Sequence, residues 1–390
     1  MNDIIQNFRH LIATGNLREI PKSGFSHRIV DLSSNDYLGI ADDRDFIDNF
    51  YTSLTPGDFR PTSSASRLLA SEQTEYFELE GALGEAYNRA ALLFNSGYHA
   101  NTGIIQALGN RSTLFIADKL VHASIIDGMN LAIATGAKFM RFRHNDFSHL
   151  ESLLEKYSTE FKRIVIIAES VYSMDGDMTD LDKLVEIKSL YPHILIYIDE
   201  AHSVGTLGYQ GLGMARSHPK YDEIDIVVGT FGKALASMGA FAVTSSLLRE
   251  YLINMARSFI FSTALPPFVA RWSLATFEYS LKADNKRHRL KNLNSLLHSI
   301  LSEQRSIVKE NNIPQNINPL HIQPLIIGDA QRAVKISRKL QEIGFRVLPI
   351  RTPTVPAGTE RLRFSLSATL NTEDLTPLRS ALSSTLAEIV

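Results

Sequence analysis

Asp199 closes an apolar run, Ile196-Tyr197-Ile198, and His202 follows three residues later. A carboxylate at the mouth of a buried strand is costly unless a positive group meets it. A second run leads through Val228-Gly229-Thr230-Phe231-Gly232 to Lys233, a lysine with no acid near it in sequence. Apolar crowding there disfavours the charged form and makes a nucleophilic amine. A third run, 91–94, turns through Asn95-Ser96-Gly97 into Tyr98-His99-Ala100-Asn101. Backbone N–H groups at such a helix start form an anion site suited to a phosphate. Two further polar points, His122 and Ser173, stand at other strand ends.

An amine able to form a Schiff base, a carboxylate to hold a pyridinium proton, a face to stack a ring and a helix start for a phosphate are what pyridoxal 5′-phosphate requires. Rival chemistries lack their parts. Cys is absent, which removes thiol nucleophiles, Cys-zinc sites and iron–sulfur clusters. The twelve His show no His-Glu-x-x-His spacing, so no metal site is expected. Asp199-Glu200-Ala201-His202 also spells a helicase box, but no phosphate loop of the Gly-x-x-x-x-Gly-Lys-Ser/Thr type accompanies it. No Gly-x-Gly-x-x-Gly pattern follows the first strands, and a nicotinamide enzyme is not supported. Asp199 retains a structural alternative, as the cap of the helix that follows.

In an open parallel sheet, ligands bind beyond the carboxyl ends of the strands. The chain's periodicity predicts such a sheet. Apolar runs recur at 91–94, 113–117, 138–142, 163–168, 194–198 and 224–228, with helical spacing at 72–87, 124–134, 147–157 and 179–190. Strands this apolar are buried on both faces, hence an α/β fold with a mainly parallel sheet. Past Leu265-Pro266-Pro267, residues 269–307 read as one long helical region whose basic cluster at 286–291 is a solvated face. A strand at 322–327, a helix at 332–343, strands at 345–350 and 361–367 and a helix from 372 predict a smaller C-terminal α+β domain. The expected division is an N-terminal segment 1–50, a large domain 51–285 and a small domain 286–390. The polar stretch Asn311-Asn312-Ile313-Pro314-Gln315-Asn316 lies near the second boundary.

The 390 residues are 44 % hydrophobic and 21 % charged, with net charge −2. A general nucleic-acid or anionic-membrane binder is disfavoured by that balance. Residues 1–30 lack a signal peptide's apolar stretch, and no run approaches the roughly eighteen apolar residues of a membrane helix, so a cytoplasmic protein is expected.

Asp199-Glu200-Ala201-His202-Ser203-Val204-Gly205, Thr230-Phe231-Gly232-Lys233 and Ser173-Met174-Asp175-Gly176-Asp177 together resemble the α-oxoamine synthases. These are fold type I pyridoxal-phosphate enzymes that condense an amino acid with an acyl thioester and release carbon dioxide. The resemblance runs from Leu32-Ser33-Ser34-Asn35-Asp36-Tyr37-Leu38-Gly39 into the C-terminal domain, with the motifs in the family's order. It implies that Lys233 carries the cofactor, Asp199 pairs with the ring nitrogen, His202 approaches the ring hydroxyl, His122 stacks on the ring and Ser173 lines its pocket. Gly97, Tyr98 and Thr230 would surround the phosphate, with Ser262 and Thr263 reaching the phosphate of a second subunit in a homodimer. Arg363 would bind the amino-acid carboxylate with Thr354 nearby, and Arg18 would contact the acyl group.

Residues 350–363 and 322–329 are most similar to the branch that joins L-alanine to a pimeloyl thioester, carried on coenzyme A or a carrier protein. Relatives that use glycine, and a catalytically idle cofactor-binding module, stand as alternatives. Where the family often shows Gly-Ser-Gly-Gly-Ser-Arg, this chain reads Pro61-Thr62-Ser63-Ser64-Ala65-Ser66-Arg67.

Overall fold

A short strand β1 (Val30–Asp31) precedes the apolar runs, which become β2 (Ala90–Phe94), β3 (Thr113–Asp118), β4 (Lys138–Phe142), β5 (Arg163–Glu169), β6 (Ile194–Asp199), β7 (Ile226–Thr230) and β8 (Ala240–Thr244). The computed structural model describes residues 1–18, 20, 29–191, 193–308 and 319–390. The chain divides into a larger unit, Leu38–Tyr172 with Met178–Asp284, and a smaller one, Met1–Tyr37 with Ser173–Asp177 and Asn285–Val390. The larger unit thus starts at Leu38, where the sequence pattern suggests 51, and Ser173–Asp177 is counted with the smaller one. The polar stretch 311–316 lies outside the described residues.

In the larger unit seven strands form one sheet in the order β2-β8-β7-β6-β5-β3-β4. Strands β3 to β7 pair in parallel, while β8 runs antiparallel to both β7 and β2. The mainly parallel sheet is present. Along β3, Leu114 and Ile116 enter one buried cluster, and Phe115 and Ala117 enter another. That alternation puts a core on each face of the sheet, which is why the strands read as unbroken apolar runs.

Strand β8 has no counterpart in the sequence reading. It follows β7 after only nine residues, too few for a helical crossover, so it returns antiparallel. All five of its residues are buried. The connection holds Lys233 and ends at Gly239, whose φ is +107°. A Cβ there would stand 2.8 Å from Leu265 and 3.1 Å from the Phe94 carbonyl oxygen, so both conformation and space demand glycine.

The helical region expected over 269–307 consists of two helices, Pro267–Leu281 and Asp284–Arg305. The first ends in tight three-residue bonds, with Lys282 N–H donating to Tyr279 and Ala283 N–H to Ser280.

The smaller unit carries a three-stranded antiparallel sheet, with β12 (Arg361–Ser365) between β9 (Ile322–Ile326) and β11 (Leu348–Ile350). Strand β10 (Phe345–Arg346) pairs in parallel with β1. Helices Ala330–Glu342 and Leu378–Ile389 complete the expected α+β pattern. Among the described residues, no helix is long and apolar enough to cross a membrane.

Candidate active site

Strand β6 is apolar until its last residue, Asp199, which is only 5 % exposed at the strand's carboxyl end. Its two oxygens are both engaged. Oδ1 accepts the Ala201 N–H at 2.9 Å, and Oδ2 accepts Asn101 Nδ2 at 2.8 Å. The first of these is a local turn contact and not the helix cap that the structural alternative anticipated, since among the described residues no helix follows Asp199 before Tyr209. The second is long-range and fixes the carboxylate in direction. Asn101 is held in turn: its Nδ2 also donates to Ser124 Oγ at 2.9 Å, and its Oδ1 accepts the Tyr197 hydroxyl at 2.5 Å.

Lys233 occupies the turn between β7 and β8. That turn closes on itself: Phe231 N–H donates to Gly239 O, Ser237 N–H to Phe231 O and Ala236 N–H to Lys233 O. Thr230 Oγ1 donates to Gly239 O at 3.0 Å and accepts from Gly232 N–H at 3.2 Å. With its backbone pinned, Lys233 places Nζ 2.7 Å from His202 Nε2. His202 lies in the turn at 201–206 that follows β6.

His122 caps helix Ala123–Ile133, its Nδ1 accepting the Ser124 N–H at 3.2 Å and lying 2.7 Å from Ser124 Oγ. Burial lowers the imidazole's pKa; Asp199 pulls it up, and Lys233 pushes it further down. Glu169 ends β5 and lies directly beside Asp199 in register. Burial first, and Asp199 second, hold its carboxyl well above the usual carboxylate range. Glu200, fully buried, accepts N–H groups from Met214 at 3.1 Å and Ala215 at 2.7 Å. Burial nevertheless outweighs those bonds and raises its pKa to about 7.

The helix Gly97–Leu108 opens at Ser96, whose Oγ accepts the His99 N–H at 3.2 Å. Among the described residues the N–H groups of Gly97 and Tyr98 have no protein acceptor, so the helix start presents two free donors. Gly97, Tyr98, His122, Asp199, His202, Thr230 and Lys233 all line one cavity of about 170 Å³, together with Asn101, Ser124, Ala201 and Glu169. The donor set suits pyridoxal 5′-phosphate: an amine for its aldehyde, a carboxylate for its ring nitrogen, an imidazole for its hydroxyl and backbone donors for its phosphate. Among the described residues no cluster of His, Asp and Glu could hold a metal ion.

The remaining predicted residues lie elsewhere. Ser262 and Thr263 do not line this cavity. They join the end of β2 through Asn95, whose Nδ2 donates to Ser262 Oγ at 2.9 Å and to Thr263 O at 2.5 Å. In the smaller unit, Arg363 is buried on β12, its Nε donating to Ser173 O at 2.7 Å and its Nη2 to Asn35 Oδ1 at 3.4 Å. Arg18 is exposed, and its Nη2 donates to Thr354 Oγ1 at 2.9 Å. The structure therefore pairs Arg363 with Ser173 and Arg18 with Thr354.

Sequence reasoning missed Asn101, Ser124 and Glu169. Glu169 carried the same signal as Asp199, a carboxylate at the end of an apolar strand. Asn101 lies four residues past Gly97, one turn into a helix whose start was already singled out.

Residues 27–382 match the family described as aminotransferase class I and II. A relative from Chlorobaculum parvum, named 8-amino-7-oxononanoate synthase, is 42 % identical over 384 residues, covering 97 % of this chain and 95 % of that one. A lysine-to-alanine variant of a serine palmitoyltransferase from S. paucimobilis, solved with a bound PLP–myriocin aldimine, superposes with a TM-score of 0.87 at 27 % identity, over 99 % of this chain and 97 % of that one. An 8-amino-7-oxononanoate synthase from Francisella tularensis gives a TM-score of 0.74 at 27 % identity, over 92 % and 98 % of the two chains.

Proposed function

The chain belongs to the aminotransferase class I and II family, and from that premise we propose that it condenses L-alanine with a pimeloyl thioester. The products are 8-amino-7-oxononanoate, carbon dioxide and the free thiol, a step of biotin biosynthesis. It is a fold type I, pyridoxal-phosphate-dependent acyltransferase of the α-oxoamine synthase kind. The observation that carries the choice of substrates is the 42 % identity, end to end, to a named 8-amino-7-oxononanoate synthase. The cavity supports the same reading, since Lys233, Asp199, His202 and His122 converge there.

Bound pyridoxal phosphate supplies an electron sink for the pair left when a bond at the amino acid's α-carbon breaks. The chain's own residues do the rest. Lys233 would hold the cofactor, and its Nζ amine would be the group that takes the α-proton and returns one. A positioned base contributes about 10²–10⁴-fold. Asp199, oriented by Asn101 and Ala201, keeps the ring nitrogen protonated. His202, 2.7 Å from Lys233 Nζ, holds a hydrogen bond at the ring hydroxyl. His122 covers the ring and excludes water. Gly97, Tyr98 and Thr230 bind the phosphate. Arg363 binds the alanine carboxylate in a charge-assisted pair, beside Ser173 and with Thr354 near, and Arg18 meets the acyl group.

The reading includes a homodimer, with Ser262 and Thr263 serving the phosphate of the second subunit, and a place in the cytoplasm. Purified protein given L-alanine, glycine or L-serine, each with pimeloyl-coenzyme A or a pimeloyl carrier protein, tests it through thiol release and the product's mass. Turnover with alanine and a pimeloyl donor is expected. Turnover only with glycine or serine overturns the substrate assignment.

A further inference from the structure

Glu169 and Asp199 are register partners on adjacent parallel strands. Partners in a parallel pair project to the same face of the sheet, so two carboxyl groups enter one place. Both are buried, at 3 % and 5 % exposure. Asp199 has its role at the ring nitrogen, and the mechanism leaves Glu169 without one. Yet Glu169 Oε1 accepts the main-chain N–H of His122 at 2.5 Å. His122 is both the cap of helix Ala123–Ile133 and a wall of the cavity that Glu169 also lines.

We propose that Glu169 is a positioning residue of the cofactor site, anchoring the His122 main chain and so setting where the imidazole stands over the cavity. The inference rests on the cofactor assignment above. Burial first, and the neighbouring Asp199 next, favour the uncharged form of the Glu169 carboxyl, opposed by Lys233 and by the His122 N–H. The other groups facing it are Asp118, at the end of β3, and Tyr172, three residues beyond β5. Two adjacent carboxylates in a dry site do not both ionise cheaply.

Two variants test this, Glu169→Ala and Glu169→Gln. The readouts are the Kd for pyridoxal phosphate and the pH midpoint of the bound cofactor's visible absorbance. Glu169→Ala removes the acceptor and should weaken cofactor binding about tenfold, the scale of one hydrogen bond, with a displaced pH midpoint. Glu169→Gln offers an amide oxygen to the same N–H without a charge. It should bring affinity back to within about threefold of wild type and keep the wild-type midpoint.

A Gln variant that binds as poorly as Ala, or that moves the midpoint, shows that a carboxylate charge is required and overturns the proposal. An Ala variant matching wild type in both readouts overturns it too, because nothing was being positioned. If Glu169→Ala does not fold, the Gln variant decides alone. A wild-type chain that takes up no cofactor sinks the cofactor assignment, and this inference with it; the variant outcomes sink the inference only.

Discussion

Asn101→Ala is the perturbation that most directly probes how the fold holds its cofactor carboxylate. The side chain is 1 % exposed and joins three elements: the helix Gly97–Leu108 that carries it, strand β6 through Tyr197 and Asp199, and helix Ala123–Ile133 through Ser124. Truncation removes all three hydrogen bonds. The bond to the Asp199 carboxylate is the strongest, at about 1.5–3 kcal/mol, and the two neutral ones contribute about 1 kcal/mol each. Ser124 keeps its contact with His122, and Asp199 keeps the Ala201 N–H, so part of the loss is absorbed. A net destabilisation of about 2–4 kcal/mol is expected in urea unfolding of the cofactor-free protein. Cofactor binding should weaken by about ten- to a hundredfold, the affinity equivalent of roughly 1.4–2.8 kcal/mol lost in orienting Asp199. An Asn101→Ala protein within about 0.5 kcal/mol of wild type and with unchanged cofactor Kd would refute the reasoning, since Asp199 would then be oriented without Asn101.

Glu200 binds a proton in the folded state up to pH about 7, against its ordinary 4.5 in the unfolded chain. Stability therefore falls as pH rises across that window, by up to about 3 kcal/mol at 1.36 kcal/mol per unit. The urea midpoint of wild type should fall relative to that of Glu200→Gln as pH rises from 5 to 7.5, and parallel curves would show that Glu200 does not titrate there. Arg363→Ala should lower kcat/KM for L-alanine by about 10–150-fold, the scale of hydrogen bonds to a charged group, with little change in KM for the thioester. A loss below about threefold removes Arg363 from the carboxylate site. Mixing inactive Lys233→Ala and Thr263→Ala chains should restore some activity, because a mixed dimer can gather both defects into one site. No recovery counts against a shared phosphate site.

The sheet and its reactive edge were legible for a physical reason. Strands with a core on each face must be apolar throughout, so a polar residue at the end, as at Asp199, stands out. The lysine turn was legible because glycines flank it. Strand β8 was not, since Ala240–Thr244 is apolar and short and follows the lysine turn without a helix to mark it. The break at Lys282 was hidden because nothing but three-residue closing bonds ends that helix; no Gly or Pro stands there. Asn101 was invisible for another reason. Its importance lies in contacts with Asp199 and Ser124, residues 98 and 23 positions away, which no local pattern encodes. Ser262 and Thr263 were singled out by family resemblance alone, and within one chain they sit beside Asn95 rather than in the cavity.

The central claim is that Lys233 carries the cofactor in the cavity at the carboxyl edge of the sheet. Borohydride reduction of the protein loaded with pyridoxal phosphate, followed by proteolysis and mass mapping, tests it in one step. The account predicts a single pyridoxyl-modified peptide containing Lys233, absent from Lys233→Ala. Modification at a different lysine, or an equal yield from the Lys233→Ala protein, would contradict it.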